Sequence, residues 1–150
     1  MISVPPLKRV ADRPTWLLSR AYARSHNVLN EAFAAEGVRG YHFRLLAALD
    51  QYGPTSQADL GRHTGIDRSD VVATVNDLVT RGLVQRKPDP VDRRRNVITI
   101  TKRGVTTLER LDAVLDDVQD TVLAALTANE RKTFVRLLAK VIDEHGAPGA

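Results

Sequence analysis

Residues 56–104, SQADLGRHTGIDRSDVVATVNDLVTRGLVQRKPDPVDRRRNVITITKRG, decide the fold. Ser56 is placed to cap the free amides of a short helix whose inner face is Ala58, Leu60 and Gly61, ending near His63. Thr64-Gly65-Ile66 follows as a turn, glycine permitting the reversal of backbone sign and Ile66 plugging the space beneath two crossed helices. A second helix opens with Asp67 as N-cap and Asp70 three residues on, and it stops at Arg81-Gly82. Its apolar positions predict an inward stripe of Val71, Val72, Val75, Leu78 and Val79. The outward stripe is then Arg68, Ser69, Ala73, Thr74, Asn76 and Asp77. Leu83–Gln85 reads as a strand, and residues 96–101 alternate Ile98 and Ile100 against Val97 and Thr99. Between them KPDPVDRRR carries two prolines, which cannot donate to a ladder and so hold the segment open as a loop. Helix, turn, helix and a two-stranded ribbon with an arginine-rich tip make a winged helix-turn-helix.

Charge gives this element a partner. Residues 83–103 hold seven Lys or Arg against two Asp, a balance of +5, whereas the whole chain is +4 and the remainder therefore −1. A duplex major groove about 12 Å wide admits one helix, and a basic loop beside it can enter the narrower minor groove, where the negative potential favours arginine. The second helix is itself net negative, with Asp67, Asp70 and Asp77 against Arg68 and Arg81, so charge does not hold it on phosphate. Arg68, Ser69, Thr74 and Asn76 are expected to read base edges, while the helix terminus at Ser56 and the wing, with Arg86, Arg93, Arg94 and Arg95, hold the backbone. Two other readings stand beside this one. An arginine run is often only a solvated face, and two short helices with a hairpin also occur in modules that pair with other proteins, here an acidic one. Salt dependence and preference for one palindrome separate the alternatives.

The run from Leu60 to Gly104 resembles the MarR (multiple antibiotic resistance regulator) family. The pattern is carried by Gly82-Leu83-Val84, Arg86, Asp92-Arg93-Arg94 and Ile100-Thr101 with Gly104, Ile100 standing where leucine is usual. The resemblance implies that Arg94 is the minor-groove residue and that Asp92 hydrogen-bonds it into position. It also implies a DNA-binding transcriptional regulator, a repressor by expectation, working as a homodimer.

The flanks fit the same scheme. Pro5-Pro6 begins a basic arm, and Pro14 suits the first position of a helix running to about Ala35, with Leu18, Ala21, Tyr22, Ser25, Val28, Leu29, Ala32 and Phe33 as its stripe. A helix from Gly40-Tyr41 to Tyr52 buries Phe43, Leu45, Leu46, Ala48 and Leu49, the floor beneath the helix-turn-helix. After Thr101 a long helix to about Leu126 carries Leu108, Leu111, Leu115, Val118, Val122 and Leu126 near heptad spacing. Thr127 and Glu130 form a capping box for a last helix to His145, with Phe134, Leu137, Leu138, Val141 and Ile142 inward, and Gly146 and Pro148 close the fold. The division expected is dimerisation helices at about 14–36 and 102–145 around a winged helix-turn-helix at about 41–101, all one domain. Those helices hold more apolar surface than a small winged domain covers. Two-fold pairing would cover it and set two DNA-reading helices about 34 Å apart, one turn of duplex; packing of the same helices within one chain is the alternative.

Composition narrows the rest. One domain of 150 residues, 43% hydrophobic and 27% charged, buries a core without staples. With no cysteine there are no disulfides, thiolate catalysis, zinc-cysteine sites or the cysteine-oxidation sensing used by some of the family. Neither a membrane-length apolar run nor a signal peptide is visible, so a cytoplasmic location is expected. His26, His42, His63 and His145 are not at ligand spacing, and no nucleophile or phosphate-loop motif appears, so neither a metal, a cofactor nor catalysis is expected. In the family a cleft between the dimerising helices and the winged domain takes a small, often aromatic or anionic, effector. Trp16, Tyr22, His26, Tyr41, His42 and Arg44 lie in the corresponding helices and suit a ring-shaped ligand, or equally a core.

Overall fold

Six helices and a three-stranded antiparallel sheet alternate along residues 7–146, the part of the chain that the computed structural model describes. Pro5, Pro6 and Pro148, expected as an arm and a terminator, lie outside the described residues. The order is α1 (Pro14–Ala35), α2 (Gly40–Tyr52), β1 (Thr55–Ser56), α3 (Gln57–Thr64), α4 (Arg68–Thr80), β2 (Val84–Pro88), β3 (Asn96–Ile100), α5 (Lys102–Val122) and α6 (Ala128–Gly146). The fold is mainly α with a small β wing, a winged helix-turn-helix between N- and C-terminal helices.

Caps set most of the boundaries. Ser56 Oγ accepts from Asp59 N, Asp67 accepts from Ser69 N, and Thr101 Oγ1 accepts from Gly104 N. Thr127 and Glu130 exchange bonds at 2.9 and 3.2 Å, the reciprocal capping box expected there. Gly82 ends α4 with φ 73°, a left-handed conformation in which a side chain would be strained, and so turns the chain directly into the wing.

The sheet departs from the expected two-stranded ribbon. β1 pairs with β3 through Thr55↔Ile98 and Ser56↔Val97, so β3 is central and β2 is an edge. Two residues are too few to show alternation, and Ser56 already served as a cap. β2 also runs to Pro88, opposite Asn96, because an edge strand tolerates a residue without an N–H; the loop shortens to residues 89–95.

One core lies under the helix-turn-helix. Leu45, Leu46 and Leu49 of α2 meet Leu60, Ile66, Val71, Val75, Leu78, Val84, Ile98 and Leu108, so α2 is the floor on which α3, α4 and the wing are set. A second cluster of Phe33, Val38 and Leu111, flanked by Phe43, joins α1 and α5 to it. Away from these clusters much of the apolar surface of α1 and α6 is exposed. Leu17, Leu18 and Tyr22 of α1 are exposed, and so are Leu137, Val141 and Ile142 of α6, expected inward, Ile142 to 66%. Their stripes are apolar as read, yet among the described residues these side chains stay exposed. Ala58, placed on the inner face of α3, is likewise exposed, since Leu60 alone fills that side. No helix among the described residues is long and apolar enough to cross a membrane.

Candidate nucleic-acid interface

α4 buries Val71, Thr74, Val75 and Leu78 and exposes Arg68, Ser69, Asp70, Val72, Ala73 and Asn76. Two expectations are therefore reversed. Thr74, taken as a base reader, is 8% exposed, and Val72, taken as core, is 37% exposed. The buried positions recur at i, i+3, i+4 and i+7, a helical face as regular as the one drawn through the valines. Polarity favoured Val72 for the interior, but threonine's methyl packs nearly as well as valine's and its hydroxyl stays at the edge of a cleft. The exposed face is then Arg68, Ser69, Val72, Ala73 and Asn76. Ser69 Oγ donates to Asp67 at 2.6 Å, and this bond holds the Asp67 carboxyl below the usual carboxylate range.

Beside that face stands the wing tip, built on two aspartates. Asp89 Oδ1 accepts from Val91 N and Asp92 N, and Asp92 Oδ1 accepts from both Arg94 N and Arg94 Nε, at 3.1 and 3.2 Å. The Arg94 side chain is 92% exposed and held at its base, with the Asp92 carboxyl lowered first by its bond from Arg94. Arg93 is exposed as well. Arg95 is not part of the tip: its guanidinium folds back onto Ser56 Oγ at 3.1 Å and lies 3.8 Å from Asp59. Ser56 is itself buried and saturated by Asp59 and Arg95, so it ties the wing to α3 rather than facing outward. Arg86 is half-buried and bridges elements, its Nε donating to Gln57 Oε1 at 3.0 Å and its Nη2 to Asn76 Oδ1 at 2.5 Å. Of the ten residues singled out, Arg68, Ser69, Asn76, Arg93 and Arg94 are exposed; Asp92 braces Arg94, Arg86, Arg95 and Ser56 tie the wing to α3 and α4, and Thr74 is buried.

On the other edge of α4 a second constellation couples it to the α1–α2 turn. His42 Nδ1 accepts from Arg39 N at 2.8 Å, which leaves the proton on Nε2 to be donated to Asp77 Oδ2 at 2.5 Å. Asp77 also accepts from Arg81 Nε at 3.0 Å, and Arg81 Nη1 reaches Gly37 O at 2.6 Å. The bond from His42 holds the Asp77 carboxyl below the usual range, with Arg81 adding to it. The sequence marks Asp77 and Arg81 only as an outward residue and a helix end. Their i, i+4 spacing was the available signal; the histidine partner, 35 residues away, had none.

These groups line a cleft of about 560 Å³ between Ala34–Tyr41 and the inner edge of α4. It takes in part of the residue set expected around a ligand. Tyr41 and His42 line it, but Trp16, Tyr22, His26 and Arg44 do not. Tyr22 stacks on His26 at 5.4 Å on the exposed side of α1, and Trp16 lies there too, 6.0 Å from the Arg20 guanidinium. Arg44 lies over Tyr41 and donates to Thr64 O. Sharing two consecutive helices did not put the six on one side. Among the described residues no group of His, Asp and Glu could hold a metal ion.

A sequence model of the MarR family matches residues 36–95. The chain is 31% identical over 134 residues to the HTH-type transcriptional repressor NicR of Pseudomonas putida, covering 89% of this chain and 85% of that one. Its fold is similar to that of Bordetella bronchiseptica BpsR, whose structure concerns regulation of DNA binding by 6-hydroxynicotinic acid (27% identity, TM-score 0.75, 93% of this chain and 99% of that one). It is also similar to the PcaV transcriptional regulator of Streptomyces coelicolor in complex with its natural ligand (28% identity, TM-score 0.72, 95% and 98%). With the exposed helix, the aspartate-braced wing and the flanking helices all in place, the chain belongs to the MarR family of winged helix-turn-helix transcriptional regulators.

Proposed function

We propose that this DNA-binding regulator is a cytoplasmic repressor that works as a homodimer on a roughly palindromic operator and releases it in response to a small molecule. One observation carries the reading: a helix whose exposed edge presents Arg68, Ser69 and Asn76 lies beside a wing whose Arg94 is almost wholly exposed yet braced by Asp92. The helix suits base edges and the wing suits the minor groove, where affinity comes from phosphate charge and specificity from bases. The name of NicR, a repressor, supports the sign of regulation. No catalytic role is assigned to any residue.

The uncovered apolar residues of α1 and α6 support pairing, since an exposed patch of this kind marks an interface. A second copy related by a two-fold axis would cover them and double the DNA-reading surface. The cleft behind α4 supports a ligand. Its occupant would touch Thr74 and Asp77 on the very helix whose outer edge meets DNA, and BpsR and PcaV are relatives with a named or natural ligand. Such a ligand releases DNA only if it binds better to a dimer whose helices are wrongly spaced.

Binding sites selected from a random duplex pool, followed by titration at several salt concentrations, test the reading. If each subunit neutralises about four phosphates, log Kobs falls against log salt with a slope of about −7, and the selected sites are palindromic with half-sites about one helical turn apart. Binding without sequence preference, or pairing with an acidic protein that ignores the palindrome, would overturn it.

A further inference from the structure

Arg86 sits where a phosphate contact was expected, but two of its donors, on Nε and Nη2, are committed inside the protein. Nε is taken by Gln57 of α3 and Nη2 by Asn76 of α4, so one guanidinium on an edge strand ties the wing to both helices. A guanidinium only donates, so the Asn76 atom facing it must be the carbonyl oxygen and not the amide nitrogen. The amide is thereby held in one of its two orientations. Among the described residues Nδ2, with two hydrogens, has no partner, and Asn76 is exposed on the edge of α4 that faces outward.

Resting on the reading of α4 as the base-contacting helix, we infer that Arg86 is a positioning residue that makes Asn76 a hydrogen-bond donor to the DNA and so sets base preference at one operator position in each half-site. A free asparagine pairs with adenine through both ends, accepting from N6 and donating to N7. Here one of the two Oδ1 lone pairs is already taken by a cation 2.5 Å away, which leaves Oδ1 a poorer acceptor for N6–H. Guanine offers O6 and N7, two acceptors and no donor, on the same groove edge. The locked amide selects guanine over adenine.

The test places each of the four base pairs at every half-site position and measures affinity for the unsubstituted protein, Asn76→Ala and Arg86→Met. Methionine keeps an apolar stem and removes the donors. The unsubstituted protein is expected to prefer guanine over adenine by about tenfold at one position. Asn76→Ala erases the preference there, and 7-deazaguanine, which lacks the N7 acceptor, weakens binding to the unsubstituted protein. Arg86→Met frees the amide and brings adenine to within about threefold of guanine at that position, leaving the other positions and the salt slope unchanged. A uniform loss on all sequences with a slope smaller by about 1 per subunit would make Arg86 a phosphate contact and overturn the inference. So would a preference for adenine that depends on Asn76. Absence of base preference at any position in the unsubstituted protein would instead overturn the underlying reading of α4, and a lowered melting temperature in Arg86→Met with unchanged base preference would leave Arg86 a purely structural tie.

Discussion

Replacing Gly104 by alanine should loosen the joint between the wing and α5. Gly104 is buried at the start of α5, its N–H capped by Thr101 Oγ1 at 3.0 Å. An added Cβ would fall on the carbonyl oxygen of Leu83 and within 2.7 Å of Ile100 Cγ1. That carbonyl cannot swing aside freely, because it accepts from Thr101 N at 3.0 Å, while Thr101 Oγ1 donates to Gly82 O at 2.8 Å. Relief requires the first turn of α5 to move away. Overpacking of this kind costs about 1–3 kcal/mol, and the two bonds at Thr101 contribute about 1 kcal/mol each. Against this, alanine is better than glycine inside a helix by about 1 kcal/mol. The net destabilisation is then about 2–4 kcal/mol, or about 5–15 °C in melting temperature for a chain of this size. Urea unfolding of both proteins at equal protomer concentration measures it, the expected result being a lower midpoint at unchanged m. A variant within about 0.5 kcal/mol of the unsubstituted protein would refute the reasoning, since it would mean that the Leu83 carbonyl yields without breaking its bonds.

Arg94→Ala should weaken operator binding by about tenfold or more through loss of the exposed, aspartate-braced guanidinium, and reduce the salt slope of the dimer by about 2; unchanged affinity in a filter or anisotropy assay would show that the wing does not dock. Ile142→Asp should leave secondary structure intact while converting the proposed dimer to monomer, because the side chain is exposed among the described residues and pairing would bury it; an unchanged mass by light scattering at micromolar concentration would remove α6 from the interface. Acid sensitivity follows from the carboxylates at Asp59, Asp67, Asp77, Asp92 and Glu130, all held below their ordinary values by hydrogen bonds, from Ser56, Ser69, His42, Arg94 and Thr127 respectively. A depressed folded-state pKa contributes stability that is complete above the unfolded value near 4 and lost as pH falls through the folded one. Thermal midpoints should therefore hold down to about pH 5 and drop below about pH 4. Asp77→Asn should flatten part of that drop, and an acid slope identical to that of the unsubstituted protein would show that the His42–Asp77 bond does not contribute.

Much of this protein could be read from neighbouring residues alone. Caps, glycine turns and prolines act within a few positions, so the starts of α1, α4, α5 and α6 and the stop at Gly82 stood in the chain at Pro14, Asp67, Thr101, Thr127 and Arg81-Gly82. The basic tip was equally local, as was its aspartate, though the role of Asp92 came through family resemblance rather than spacing. Tertiary structure decided whatever depended on contacts across elements. Packing against α2 chose Thr74 over Val72 for the interior, because two helical faces about 50° apart were both consistent with the pattern. The pairing of β1 with β3 drew Arg95 back onto Ser56 and Asp59, which no local signal separates from Arg93 and Arg94. The six residues expected around a ligand were divided between the two sides of α1 and α2, while Asp77 and Arg81 came to the cleft from another helix. Local sequence sets the backbone's turns and periodicities; which side chains meet depends on rotations of whole elements, and those are settled only when the cores beneath them close.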